Sequence, residues 1–205
     1  MKNGMSRGTG PVWPVITKML SNELSILDVG CGEHRWEYKN AIISRCDNEQ
    51  AYRDRTAKLT GYVNVDANND WPYEDGEFDT VIAADVIEHL ENIWHFFREA
   101  TRVASRSVII STPNVESRMS KAMFSRTGFL WGFDRVEREN SHHITPIFMW
   151  QVIKAVADVG WTIAVSEKVS MPMPPLRAER LSIAKEGLEE NNERWLVVKA
   201  VPKNG

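Results

Sequence analysis

The sequence is poor in cysteine, in net charge and in long apolar runs. Only Cys31 and Cys46 stand in 205 residues, and their spacing fits neither a metal knuckle nor a secreted disulfide scaffold. No apolar run nears the roughly 18 residues that cross a bilayer, so no membrane span is expected. Residues 1–10 lack an apolar signal core, and the expected location is cytoplasmic. The formal charge is -3 and the pI is near 6.0. Without a global basic field, nucleic acid is not an expected partner. The length suffices for a full core, and residues 1–205 read as a single domain. Tryptophan is plentiful instead. Eight occur, several in expected loops, where large planar side chains either line a site or pack on the core.

The stretch Ser25-Ile26-Leu27-Asp28-Val29-Gly30-Cys31-Gly32-Glu33 carries the most information. Ile26 to Val29 reads as a short buried strand that stops at two glycines spaced i, i+2. Such an exit makes a tight turn beside which a ligand sits close to the backbone. Asp28 at the strand's end disfavours a pyrophosphate but suits a cation such as an ammonium. A nicotinamide-dependent oxidoreductase on a similar fold is the rival from another reaction class. It wants G-x-G-x-x-G and a phosphate-friendly turn, whereas Asp28 and Glu33 put negative charge where the pyrophosphate would lie.

Periodicity and turn residues predict the other elements. Pro11–Leu20 reads as a short helix and Trp36–Asn40 as a helical turn or two. A second strand covers Ala41–Cys46 and ends at Asp47. A third covers Gly61–Val65 and ends at Asp66. Phe78–Ala84 is a clearer strand. Glu91–Val103 is a helix with Ile93, Phe96, Phe97, Ala100 and Val103 at helical spacing. Ser107–Ser111 is a buried strand stopped by Thr112-Pro113-Asn114. Thr145-Pro146 reads as the N-cap and first position of a helix running to Val159 and stopping at Gly160. Trp161–Val169 and Arg194–Ala200 are strands, with Met171–Asn192 as an insertion between them. Strands alternating with helices imply a mostly parallel sheet. Val115–His143 mixes Arg118, Lys121, Arg126, Arg135 and Arg138 with Phe124, Phe129, Leu130, Trp131 and Phe133. It follows a strand's C-terminal end, where an open α/β sheet carries its ligand crevice. It therefore reads as a lid or substrate wall, the alternative being an ordinary helical excursion packed on the domain.

Four motifs occur in order: Leu27-Asp28-Val29-Gly30-Cys31-Gly32, Trp71-Pro72-Tyr73-Glu74-Asp75-Gly76-Glu77-Phe78-Asp79, Asp85-Val86-Ile87-Glu88-His89-Leu90 and Ser111-Thr112-Pro113-Asn114. Together they resemble the class I S-adenosylmethionine-dependent methyltransferases. The matching features are the first glycine motif, the approach to the fourth strand, the turn after it, and the end of the fifth strand in the subgroup acting on small molecules and sugars. The resemblance runs from about Ile26 to Asn114. It implies an α/β, Rossmann-like, doubly wound sheet of seven strands, mostly parallel with an antiparallel last strand. It also implies S-adenosyl-L-methionine as cofactor, and O-methylation of a small-molecule or glycan-type acceptor. His34 departs from the pattern, since many relatives have glycine there. A catalytically degenerate relative that only binds is the corresponding alternative.

The resemblance places the cofactor at Asp28, Gly30, Cys31 and Gly32, and at Asp85 and Val86 after the fourth strand. The ribose acid has two candidates. Asp47 lies fifteen residues past Gly32 and Asp66 thirty-four, against a usual spacing of about 20. Asp47 is therefore placed at the ribose, with Asp66 and Ala67 near the adenine. If 41–59 is all helix and loop, Asp66 takes the ribose instead. Glu88 and His89 form either a wall of the cofactor or acceptor pocket or a structural pair at the following helix start. Ser141-His142-His143-Ile144-Thr145-Pro146 resembles a stretch in relatives near glycan and lipid-glycan assembly. His143, or its neighbour His142, is the candidate base for the acceptor's proton. Asn114, Arg118 and Arg126 complete the expected acceptor contacts. Two adjacent histidines without a third ligand do not make a metal site, and none is expected.

Overall fold

The structure is a computed structural model that describes residues 10–32, 36–48, 62–134, 141–170 and 193–203. Glu33, His34, Gly61, Arg135, Arg138 and the insertion at 171–192 lie outside the described residues. Seven strands form one sheet: β1 (Ser25–Val29), β2 (Ile42–Asp47), β3 (Tyr62–Asn64), β4 (Phe78–Ala84), β5 (Ala104–Pro113), β6 (Trp161–Ser170) and β7 (Glu193–Pro202). Their order is β3-β2-β1-β4-β5-β7-β6. The pairs from β3 to β5 are parallel. β7 runs antiparallel to both of its neighbours. This is the expected Rossmann-like topology with its antiparallel last strand.

Side chains alternate across the sheet with a period of two. Leu27, Val29, Val81, Ala83, Val108 and Ile110 face one way and pack with α2 (Ile93–Val103) and α4 (Met149–Asp158). Ile26, Ile82, Ala84, Ile109 and Val197 face the other way, against α1 (Trp13–Met19) and Trp36. Asn92 caps α2 by accepting the His95 N–H at 3.1 Å. Phe96 and Phe97 on its inner face are fully buried, each contributing about 2–3 kcal/mol of apolar transfer. Glu99 and Arg102 tie the segment before β4 to the same helix. Glu99 accepts the Trp71 N–H at 2.7 Å, and Arg102 donates to Glu99 at 2.7 Å and to the Tyr73 carbonyl at 2.7 Å. The guanidinium holds the Glu99 carboxyl below the usual carboxylate range.

Two elements differ from expectation. Residues 36–40 are irregular chain ending in a turn rather than helix. There Arg45 takes the Trp36 carbonyl at 3.0 Å, which competes with a helical ladder. The helix expected from Thr145 begins only at Met149. The N–H groups of Ile144 and Thr145 both donate to the Glu88 carbonyl, at 2.9 and 3.0 Å, and the Thr145 hydroxyl donates to the Leu90 carbonyl. This stretch is thereby held against the turn after β4. The helix starts where Gln151 reaches back to the Phe148 N–H at 2.7 Å and Glu116 takes the Met149 N–H at 2.8 Å. No helix among the described residues is long and apolar enough to cross a membrane.

Candidate functional site

β1 and β4 are neighbours, but the strands that follow them lie on opposite sides, β2 beyond β1 and β5 beyond β4. The crevice of an open parallel sheet forms at such a switch point, past the strands' C-terminal ends. Gly30 and Gly32 leave β1 there with φ of 62° and 58°, a region where a Cβ clashes with the backbone. Among the described residues nothing lies within 4 Å of where a Cβ on Gly32 would stand, so the turn borders open space. Cys31 between them is buried, its N–H bonded to the Cys46 carbonyl at 3.1 Å. Burial pushes the Cys46 thiol well up, which keeps it protonated and unfit as a nucleophile.

Asp28 is fully buried, and its carboxylate accepts the Trp36 Nε1–H at 2.9 Å. Trp36 in turn packs on Trp13 with ring centroids 4.8 Å apart. The acid therefore braces the wall behind the glycine turn. Asp47 stands at the tip of β2, and its carboxylate accepts the Gly32 N–H at 2.6 Å and the Asn48 N–H at 2.7 Å. Residues 42–47 do form a strand beside β1, so Asp47 is one strand from the turn and Asp66 two. Asp66 accepts from Asn68, backbone and side chain, at 3.0 and 3.1 Å. Ala67 beside it is buried.

Asp85 follows β4 with φ 56°, the left-handed region that an L residue occupies at a cost. Its N–H donates to the Ser111 carbonyl at 3.0 Å, and its carboxylate accepts the Ser111 hydroxyl at 2.8 Å and the Trp195 indole N–H at 2.8 Å. Val86 beyond it is buried. The next turn brings Glu88 and His89 against His143. The His143 Nε2 lies 3.9 Å from Glu88 Oε1, and the two imidazole centroids are 4.8 Å apart. His143 Nδ1 faces the Gly132 carbonyl at 2.8 Å, and His89 Nδ1 faces the His142 carbonyl at 3.3 Å. Burial lowers both imidazoles, His89 to about 4 with a further push from His143, so both are neutral near pH 7. Phe133 covers the other side of His143 at 5.5 Å. The exposed His142 adopts φ 57° and contributes its carbonyl.

The remaining expected residues sit along the next connection. Asn114 is buried, with its amide on the Glu193 carbonyl at 2.8 Å and its carbonyl oxygen on the Glu116 N–H at 3.2 Å. Helix α3 (Arg118–Thr127) carries Arg118 in its first turn and Arg126 in its last, both exposed. Its Ser120 hydroxyl accepts the Trp131 N–H at 3.0 Å, which joins the helix to the Gly132 carbonyl beneath His143. Trp36, Trp195, Ser111 and Gly132 were not among the expected site residues. The number of tryptophans was the one available signal, and it did not say which indoles reach the site.

Residues 27–111, less than half of the chain, match the family model described as a methyltransferase domain. No curated protein matches the chain. Among solved structures, an S-adenosylmethionine-dependent methyltransferase from Mesorhizobium loti is similar at 17% identity, with 94% of this chain and 98% of that one covered and a TM-score of 0.61. An S-adenosylmethionine-dependent methyltransferase from Aquifex aeolicus is similar at 16% identity, covering 93% and 88%, with a TM-score of 0.57. The magnesium protoporphyrin IX methyltransferase of Synechocystis, solved with bound S-adenosylhomocysteine, is similar at 17% identity, covering 94% and 80%, with a TM-score of 0.54. At these identities the likeness is one of fold. With the domain match over residues 27–111 it supports a methyltransferase, and the first two of these relatives are S-adenosylmethionine-dependent. The positive-φ glycine turn bordering open space, flanked by a strand-end carboxylate, fits that cofactor's amino-acid and ribose ends.

Proposed function

We propose that this methyltransferase acts on a hydroxyl of a small-molecule or glycan-type acceptor that carries an anionic group. The observation that supports this best is the convergence of His143, Glu88 and His89 just past β4, beside the switch point. The bound cofactor supplies an electrophilic methyl group on its sulfonium. In this reading the glycine turn, Asp28 and Cys31 shape the pocket for the amino-acid end. Asp47 accepts the ribose hydroxyls, Asp66 and Ala67 flank the adenine, and Asp85 and Val86 form the facing wall. These residues would hold the cofactor with its methyl group presented to the acceptor oxygen, the carbon–sulfur electron pair staying on sulfur. The hydroxyl proton passes to His143 Nε2: burial keeps the imidazole neutral near pH 7, and Nδ1–H donating to the Gly132 carbonyl leaves Nε2 to accept it. Of the two histidines the base is thus His143, with His142 fixing His89 through its carbonyl.

Helix α3 and the turn after it supply the acceptor's recognition. Phe124 and Phe129 are 54% and 47% exposed, which suits stacking on sugar or apolar faces. Arg118 and Arg126 suit bidentate contact to phosphate or carboxylate. Asn114 positions the start of this segment. The free cysteines Cys31 and Cys46 fit a reducing, cytoplasmic setting. A screen of sugar phosphates, lipid-linked sugars, small phenols and RNA with labelled cofactor tests the reading. We expect transfer to a hydroxyl of an anionic sugar or phenol. His143→Ala should lower turnover about 100-fold or more, and Arg118→Ala or Arg126→Ala should raise the acceptor's KM. Transfer only to RNA, with a steep salt dependence, would overturn it.

A further inference from the structure

The geometry points to a divalent metal site made by Glu88, His89 and His143, with an open position for the acceptor's oxygen. One ligand atom from each of the three lies within 4.8 Å of the others. Metal–ligand bonds of about 2.0–2.2 Å place donor atoms roughly 3–4 Å apart, so small side-chain rotations complete the set. The carboxylate is fully buried and the two imidazoles are partly covered. The three groups meet at a partly covered point that keeps contact with solvent.

A second, independent feature is the outer shell. Both rings use Nδ1 on a backbone carbonyl, His143 on Gly132 and His89 on His142. That is how metal-binding histidines are fixed: the outer N–H is spent on an acceptor, and the Nε2 lone pair is left for the ion. The same Glu88 also accepts the backbone N–H groups of Ile144 and Thr145 at its carbonyl. The segment carrying His143 is thereby tied to the turn carrying the other two ligands.

Two imidazoles and one carboxylate select a first-row divalent ion such as Zn²⁺ or Mn²⁺ over Mg²⁺ or Ca²⁺, which prefer all-oxygen shells. Three protein ligands leave at least one coordination position open. The role given to that position rests on the hydroxyl-acceptor reading above. The acceptor's hydroxyl oxygen binds the ion, its proton passes to solvent water, and the resulting alkoxide or phenoxide takes the methyl group while the sulfur keeps the electron pair. With the ion bound His143 Nε2 is a ligand, and it acts as the base proposed above only in the ion-free protein.

The test uses protein stripped with EDTA and titrated by calorimetry with zinc chloride and, separately, manganese chloride. One ion per chain should bind with a Kd in the micromolar range or below. Glu88→Gln, His89→Ala and His143→Ala should each weaken it at least 100-fold. Thermal melting and S-adenosylhomocysteine binding, run on every variant, establish that the fold persists. If the buried Glu88→Gln variant does not fold, the two histidine variants carry the result. No saturable uptake of either ion, or uptake unchanged in both histidine variants, would overturn the site. Full methyl transfer by the stripped protein would overturn the role given to the ion and leave His143 as the base. Saturable uptake without methylation of any hydroxyl acceptor would instead sink the O-methylation reading while the ion site stood.

Discussion

The indole N–H of Trp195 on β7 donates to the Asp85 carboxylate at 2.8 Å, on the same oxygen that accepts the Ser111 hydroxyl. Asp85 holds a left-handed backbone, φ 56°, which costs an L residue roughly 1–2 kcal/mol. The two side-chain bonds offset that cost and fix the turn that leads to Glu88. Trp195→Phe removes one donor and should cost about 1 kcal/mol of stability, with a few-fold loss in S-adenosylhomocysteine affinity. Melting and cofactor titration of the variant measure both, and wild-type values in both would show that the bond supports neither.

Asp47 joins the tip of β2 to the glycine turn through the Gly32 N–H. Asp47→Ala should weaken S-adenosylhomocysteine binding by about 1–3 kcal/mol, the cost of losing a charged acceptor. Asp66→Ala should weaken it less, through the adenine side. Calorimetry that finds Asp47→Ala normal and Asp66→Ala deficient would move the ribose to Asp66.

Arg102 holds the Glu99 carboxyl below its unfolded value, which is about 4.3. A depressed carboxylate contributes its stability fully above the unfolded pKa and loses it as pH falls through the folded one. Glu99→Gln should therefore cost about 1–2 kcal/mol at pH 7 and progressively less below about pH 4. Urea denaturation at the two pH values checks this, and an equal cost at both would remove the ionic part of the contact.

Gly132 combines φ 82° with contact to His143 and Pro113. A Cβ there would stand 3.4 Å from His143 Nδ1 and 3.4 Å from Pro113 Cβ. Gly132→Ala should cost about 1–2 kcal/mol of backbone strain, and a backbone shift that relieves it moves the carbonyl that holds the imidazole. Turnover should fall further than in Gly128→Ala, which has a similar φ of 76° and, among the described residues, nothing within 4 Å. Equal losses of turnover in the two variants would mean that strain alone was being measured.

The strands were legible because each reads locally. Ile26–Val29 and Phe78–Ala84 are apolar runs bounded by turn residues, and their order with the intervening helix pattern fixes a parallel sheet. The Thr145-Pro146 start misled because the residues that pre-empt it, Glu88 and Leu90, are remote in sequence. Their carbonyls take the Ile144 and Thr145 N–H groups and the Thr145 hydroxyl before a helix can. The grouping of Glu88, His89 and His143 was hidden for the same reason. Its members belong to two turns that only the fold brings together, and neither turn has metal-ligand spacing by itself. Trp36 and Trp195 were visible as residues but not as partners of Asp28 and Asp85, since an indole's reach across a sheet leaves no local pattern.

The position of β7 between β5 and β6 has a consequence for synthesis. A chain emerging in order from its first strand makes β1 to β5 with the hydrogen-bonding edge of β5 open. β6 cannot close that edge, because its partner in the sheet is β7. The edge is sealed only when Glu193–Pro202 arrives, carrying Trp195 to Asp85. Until then the growing chain presents an unpaired apolar strand, the kind that recruits other chains, and its site lacks one wall. Arrested nascent chains that stop short of Glu193 should be cut by protease within β5, and chains extended past Pro202 should be protected. Protection of the shorter chains would show that the first five strands fold without waiting for the seventh.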